Sequence, residues 1–243
     1  MSLVFSHFDK HPVLRYGFSE KSDGSMWLGL SEQEIARTAA NRTKFFAKVG
    51  IPAERVVAAR LAHGTQVAVI EEKDSGRVVD ETDGLVTSTQ NLFLSVTGAD
   101  CFPLYFFDSD ACVVGIAHLG WRGVVGDIVG RAIKVLQKNF KISPQNLLVG
   151  IGPGIRACHF DIKPENARFY KTYPDAVRIE EDRIFVDLVA LIEKQLQEGG
   201  VRKGNIEDCG QCTFCLGDIY YSWRRDRPRG GVNAMVAYVG LLT

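Results

Sequence analysis

The chain has 243 residues, 46% apolar and 24% charged, a balance that fits an ordinary globular protein. Lys and Arg number 29 and Asp and Glu number 29, so the formal net charge is zero and nucleic acid is not the expected partner. No apolar run reaches the length of a membrane span, and no basic-then-apolar leader opens the chain, so no membrane partner is expected. Six cysteines in a chain of this size fit reduced thiols of a cytoplasmic protein better than a disulfide framework.

Leu14-Arg15-Tyr16-Gly17-Phe18 reads as a short strand. Ser31-Glu32-Gln33-Glu34 has the form of a capping box and predicts a helix to about Val49, ended by Gly50 and Pro52. Val56 to Leu61 and Gln66 to Ile70, rich in Val, predict strands on either side of His63-Gly64-Thr65. Lys73 to Asp83 is polar and contains Gly76, the pattern of an exposed loop. The short apolar runs Leu92–Val96, Pro103–Phe107 and Cys112–Ala117 predict buried strands. Val124 to Phe140 carries apolar residues at helical spacing, and Leu147–Ile151 is a strand closed by Gly152-Pro153-Gly154. Leu188, Leu191, Ile192 and Leu196 mark another helix, terminated at Gly199-Gly200, and Asn233 to Val239 predicts the last strand. No repeat, low-complexity linker or composition shift divides the chain, so one mixed α/β domain over residues 1–243 is expected, with a monomer as the default.

Three segments hold soft metal ligands beside turn residues: His63-Gly64-Thr65-Gln66, Ala99-Asp100-Cys101 and His118-Leu119-Gly120-Trp121-Arg122-Gly123. The ligands are 38 and 17 residues apart, too far for a zinc-finger repeat and typical of a site assembled from separate loops. Two imidazoles and a thiolate are the three protein ligands that a catalytic zinc site requires, with a fourth position left open. Singly, each has an ordinary alternative: a turn histidine, a small buried cysteine, a strand-end histidine.

Together these segments match a family pattern. His63-Gly64-Thr65-Gln66-Val67, Asp83-Gly84-Leu85-Val86-Thr87, Ala99-Asp100-Cys101-Phe102-Pro103-Leu104, His118 to Gly123, Gly150-Ile151-Gly152-Pro153, Cys212-Thr213 and Ser222-Trp223-Arg224-Arg225-Asp226 stand in family order over most of the chain. The chain resembles the laccase-domain, or multicopper polyphenol oxidase-like, family, better described as purine nucleoside phosphorylases. The resemblance implies a single-domain, layered α/β/β/α mixed β-sandwich with zinc on His63, Cys101 and His118. It also implies phosphorolysis of adenosine, inosine or guanosine to base and ribose 1-phosphate, with methylthioadenosine cleavage and adenosine deamination as further activities. Its partners are then a purine nucleoside and phosphate. Asn41-Arg42 falls where the family tends to carry such a pair, making Arg42 the first candidate for phosphate. Gln66 and Arg122 are further substrate-binding candidates, and Asp100, beside the thiolate, is a candidate proton carrier or hydrogen-bond acceptor.

Arg227-Pro228-Arg229-Gly230-Gly231 departs from the family's Gly followed by Thr-Gly-Arg, and Cys158-His159-Phe160 replaces a common Cys-Cys-Tyr. Cys209, Cys212 and Cys215 have the spacing of part of a ferredoxin run, but Ile219 and Tyr220 stand where its last Cys and Pro belong. They therefore read as buried free thiols, ahead of an iron–sulfur or second zinc site, and His159 as a structural histidine ahead of an extra ligand. The family's older name makes copper the alternative metal and polyphenol oxidation the alternative activity. However, five histidines are too few for a blue site plus a trinuclear cluster, and Met1, Met26 and Met235 lie far from the ligand motifs in sequence. Two further alternatives use the same residues: a metal-free hydrolase or cell-wall-precursor amidase with Cys101 as nucleophile and His118 as base, and a structural zinc module.

Overall fold

The computed structural model describes residues 3–29, 32–226 and 232–243. In chain order the elements begin with β1 (Leu14–Phe18), α1 (Glu32–Lys48), β2 (Val56–Ala59), β3 (Val67–Val69), β4 (Val78–Val79) and β5 (Gly84–Thr87). Then come β6 (Phe93–Gly98), β7 (Phe102–Asp108), β8 (Val113–Leu119), α2 (Trp121–Val125), α3 (Ile128–Phe140) and β9 (Leu148–Ile151). The last are β10 (Asp161–Ile162), β11 (Val177–Glu180), β12 (Arg183–Val186), α4 (Leu188–Glu198), β13 (Ile206–Asp208), α5 (Trp223–Asp226) and β14 (Met235–Leu241).

Two mixed sheets lie face to face. One has five strands in the order β1-β14-β6-β2-β4, the other six in the order β13-β9-β7-β8-β5-β3, and a third, small sheet is β10-β12-β11. Side-chain alternation along the strands builds three apolar layers. In β7, Phe102, Leu104 and Phe106 face the helices, whereas Tyr105 and Phe107 enter the space between the sheets. In β14, Ala237, Val239 and Leu241 fill that same space, and Val236 and Tyr238 turn outward onto Phe45 and Phe46 of α1. On the opposite side, Val129, Ile133 and Leu136 of α3 and Leu188, Leu191 and Ile192 of α4 cover the six-stranded sheet. Strands covered on both faces need continuous apolar sequence, and every residue of β7, β8 and β14 is buried. The result is the layered α/β/β/α sandwich expected from the resemblance.

Several elements depart from the sequence expectation. The helix expected over Val124–Phe140 is two: α2 ends at Gly126, Asp127 takes a left-handed φ of 63°, and its side chain accepts from the Gly130 N–H to start α3. A capping aspartate thus restarts a helix where apolar periodicity alone reads straight through. The expected loop at Lys73–Asp83 holds a short 3-10 turn at Glu72–Asp74 and β4, and it ends on a fully buried residue, Asp83. β8 runs to Leu119, so His118, expected at the strand end, lies one residue inside it. Ser31 of the expected capping box and the Arg227–Gly231 departure lie outside the described residues.

Two crossings between the large sheets position the functional residues. The β2–β3 connection carries His63, and the β6–β7 connection carries Asp100 and Cys101. Both turns are tight: His63 has φ 57° and Asp100 φ 93°, unusual values for residues with a Cβ.

Candidate metal centre

The crossings bring His63 and Cys101 to His118 near the end of β8, so that one ligand atom of each lies within 4.8 Å of the other two. The His63 and His118 rings meet edge to face, with centroids 4.9 Å apart. The group is graded in depth: His118 is buried, Cys101 half-buried and His63 exposed, so the cluster opens on the His63 side.

Asp83 organises this group, and the sequence expectation missed it. Its Oδ1 accepts from the His63 N–H at 2.9 Å and lies 3.0 Å from His118 Nδ1, while Oδ2 accepts from the Gly64 N–H at 2.7 Å. Its main-chain carbonyl accepts from the His118 N–H. Burial alone raises the Asp83 carboxyl, but the bonds from His118, Gly64 and His63 outweigh it and hold it below the usual carboxylate value. A carboxylate can only accept, so His118 Nδ1 carries the proton and Nε2 keeps its lone pair for the cluster. The signal available in the sequence was the Asp83-Gly84 pair directly before an apolar run. Asp83 belonged to the matched motifs without a role being read from it.

Burial raises the Cys101 thiol, but the charge of His118 and hydrogen bonds from His118 and His63 overcome that and bring it down to about 6. Desolvation lowers His118, and the opposing charge and hydrogen bonds of Cys101 and Asp83 carry it up to about 9. Without metal the pair is therefore a thiolate beside an imidazolium. A cation is the group this donor set attracts. Gly120 leaves the space for it: a Cβ there would sit 3.2 Å from Cys101 Sγ, 3.3 Å from His63 Cδ2 and 3.5 Å from His118 Cε1. The residues fit a soft or borderline divalent ion, to which two imidazoles and a thiolate are suited.

A cavity of about 680 Å³ opens from the cluster, within the usual range for small-molecule sites. Trp27, Trp121 and Trp223 contribute aromatic surface to its lining, and Arg122 and Lys163 contribute positive charge. Arg122 stacks over the Trp121 ring at 4.4 Å. Asp100 also lines the cavity, and both its carboxylate oxygens are engaged: Oδ1 accepts from Thr213 Oγ1 at 2.7 Å and Oδ2 from the Arg224 N–H at 2.7 Å. It ties the Cys101 turn to the wall formed by α5.

Two expected substrate contacts lie elsewhere. Arg42 is not among the cavity-lining residues. Its Nη1 donates to the Met26 carbonyl at 3.0 Å, its Nη2 to Ser95 Oγ at 3.4 Å, and burial lowers its pKa to about 10. Gln66 does not line the cavity either, and its carbonyl accepts the Asp83 and Gly84 N–H groups at the start of β5. The cysteine expectation also changes. Cys158, His159, Cys212 and Cys215 converge, and Cys158 and Cys215 are exposed rather than buried, while Cys209 stands apart.

The family model for multi-copper polyphenol oxidoreductase laccase matches residues 14–240. The chain belongs to that family. It is similar to a protein named purine nucleoside phosphorylase YlmD from Geobacillus stearothermophilus, 30% identical over 213 residues, covering 82% of this chain and 77% of that protein. A protein named purine nucleoside phosphorylase from Deinococcus radiodurans is 31% identical over 205 residues, covering 84% of this chain and 77% of its own. Among solved structures, YfiH of Bacillus licheniformis, described as a hypothetical protein, superposes with a TM-score of 0.89 at 26% identity, covering 99% of this chain and 96% of its own. YlmD of Geobacillus stearothermophilus gives 0.88 at 27% identity, with 96% and 93% covered. Among the described residues, no helix is long and apolar enough to cross a membrane.

Proposed function

We propose that the chain is a zinc-dependent purine nucleoside phosphorylase that converts adenosine, inosine or guanosine, and phosphate, to the base and ribose 1-phosphate. The observation that carries this reading is the cavity itself, which joins aromatic surface and the unpaired charge of Arg122 to the His63–Cys101–His118 cluster. The names of the relatives point the same way. Zinc bound by His63, Cys101 and His118 would supply a Lewis acid with an open coordination position.

The chain's own residues account for binding. Trp121 and Trp223 offer faces on which a purine can stack. Arg122 is the cation best placed for phosphate: it lines the cavity, and among the described residues no carboxylate pairs with it. Arg224, by contrast, is spent on Asp161 at 2.6 Å. In the reaction a phosphate oxygen bonds to C1′ of the ribose as the C1′–N9 bond breaks, and the base departs with a proton. Positive charge from Arg122 and Lys163 offsets the anionic nucleophile and holds it in place. Arg42 acts from behind, fixing the Met26 carbonyl next to Trp27 of the cavity wall. Asp100 positions Cys101 and leaves proton delivery to water or substrate. A thiolate ligand of this kind suits a reducing compartment, consistent with a cytoplasmic protein.

Chromatographic product analysis tests the reading. Zinc-loaded protein is incubated with adenosine, inosine, guanosine and methylthioadenosine, each with and without phosphate. Free base and the 1-phosphate sugar should form together, and only when phosphate is present. Inosine from adenosine regardless of phosphate would move the chemistry to deamination. Full turnover after chelation would move it to a Cys101–His118 hydrolase.

A further inference from the structure

Cys158, His159, Cys212 and Cys215 come from two segments more than fifty residues apart in sequence, yet one ligand atom of each lies within 4.8 Å of all the others. Cys158 Sγ is 3.6 Å from both Cys212 Sγ and Cys215 Sγ. His159 Nδ1 is 3.2 Å from Cys158 Sγ and 3.4 Å from Cys215 Sγ. Four ligands arranged tetrahedrally at zinc distances of about 2.3 Å for sulfur and about 2.0 Å for nitrogen would have edges of about 3.8 Å between sulfurs and about 3.5 Å between sulfur and nitrogen. These four separations are those of a site only slightly contracted, and the remaining two pairs lie within 4.8 Å. They are far longer than the sulfur–sulfur bond of a disulfide, about 2.05 Å.

The surroundings hold this arrangement in place. The His159 ring lies flat on Phe214, with centroids 3.9 Å apart and planes at 16°, which fixes the direction of Nδ1. Arg224 Nη1 donates to the His159 carbonyl at 3.2 Å. The segments pair through a bridge between Gly154 and Cys212, and the Thr213 N–H donates to the Gly154 carbonyl at 3.1 Å. Cys212 and Cys215 form a C-x2-C turn, a common way to place two thiolates on one ion.

We propose that Cys158, His159, Cys212 and Cys215 form a second metal site, a closed Cys3His zinc site separate from the His63–Cys101–His118 cluster. Four protein ligands leave no open position, which makes the site structural rather than catalytic. Its place in the fold gives it a task. The Cys158 segment reaches the active-site turn through the Ile155 N–H, which donates to the Asp100 carbonyl at 2.8 Å. The Cys212 segment reaches the same residue through Thr213 Oγ1, which donates to Asp100 Oδ1. An ion clasping the two segments holds Asp100, and so Cys101, from behind. The inference does not depend on the reaction proposed above.

The test counts metal and maps thiols on the full chain. Wild-type protein is loaded with zinc, desalted, and its metal measured by plasma mass spectrometry alongside Cys101→Ala and Cys158→Ser. Two zinc ions per wild-type chain and one for each variant are expected. A single zinc ion on folded wild-type protein that Cys158→Ser keeps and Cys101→Ala loses would overturn the proposal, as would iron with labile sulfide in its place; the opposite pattern would leave the second site standing and count against zinc at the first. In parallel, N-ethylmaleimide is applied to native zinc-loaded protein, and the labelled peptides are identified. Cys158 and Cys215 are exposed, so as free thiols they would react at once. As ligands they should resist until a chelator is added, a rate difference of at least tenfold. Prompt labelling in the presence of zinc, or a Cys158–Cys212 disulfide in protein handled without oxygen, would refute the site. Should Cys158→Ser fail to fold, the wild-type metal count and the labelling pattern still decide.

Discussion

Asp83→Asn is expected to alter the candidate metal centre while changing almost nothing in shape. The native carboxylate accepts from three donors: the His63 N–H, the Gly64 N–H and His118 Nδ1. An asparagine has one acceptor oxygen. If that oxygen takes the Oδ1 place, it keeps the two bonds to His63 and His118, but the amide NH2 then faces the Gly64 N–H. The half-buried Gly64 N–H is left without its partner, at a cost of about 1–3 kcal/mol. In the flipped orientation two donors lose their acceptor, so the first orientation is preferred. The substitution also removes the negative charge that sets the His118 tautomer and raises the basicity of its Nε2. Loss of such a partner to a metal-binding histidine typically lowers metal affinity about 10–100-fold. The expected result is a folded protein, about 1–3 kcal/mol less stable in urea, whose zinc affinity falls 10–100-fold in competition with a chromophoric chelator. Unchanged affinity with an intact Tm would refute the role given to Asp83.

Gly120→Ala should interfere with the same centre from the opposite side, because its new Cβ would press on Cys101, His63 and His118 at 3.2–3.5 Å. The backbone there is extended, at φ −75°, so strain enters through crowding alone; a loss of about 1–3 kcal/mol and weaker metal retention are expected by chemical denaturation and dialysis. In chelated protein the His118 imidazolium lowers the Cys101 thiol to about 6, so iodoacetamide modification of Cys101 should already be rapid at pH 7 and fall off below pH 6. A rate that rises only above pH 8 would mean that the thiolate–imidazolium pair does not form. Arg122→Ala should raise the KM for phosphate at least tenfold while the KM for nucleoside changes little, as steady-state kinetics with each substrate varied would show. An equal effect on both would remove Arg122 from the phosphate role.

Much of this architecture was legible because its strands are short, apolar and bounded by turns. β7 and β14 announce themselves as continuous runs, since both faces of each are covered. The convergence of His63, Cys101 and His118 was legible through motifs that match a family, although each alone looked ordinary. Asp83 was harder to read. It closes a polar stretch, and its burial is set by His63 and His118, 20 and 35 residues away, which no local pattern encodes. β5 was missed as an element because four residues give too short a run for periodicity. The same holds for β10, whose two residues pair only with β12. Arg42 is the reverse case. A motif placed it near the substrate, but its guanidinium reaches the Met26 carbonyl and Ser95 instead of the cavity. The second cysteine cluster was only partly legible: sequence spacing groups Cys212 and Cys215 with Cys209, whereas the fold places them beside Cys158.

The phosphate dependence of base release is the most direct measurement of the proposed chemistry. Zinc-loaded wild-type protein and the Cys101→Ala variant are given inosine over a range of phosphate concentrations, and hypoxanthine and ribose 1-phosphate are followed together. The account predicts that both products appear in equal amounts, rise saturably with phosphate, and are lost in Cys101→Ala while the variant stays folded. Base released without phosphate, or released equally by the variant, would contradict it.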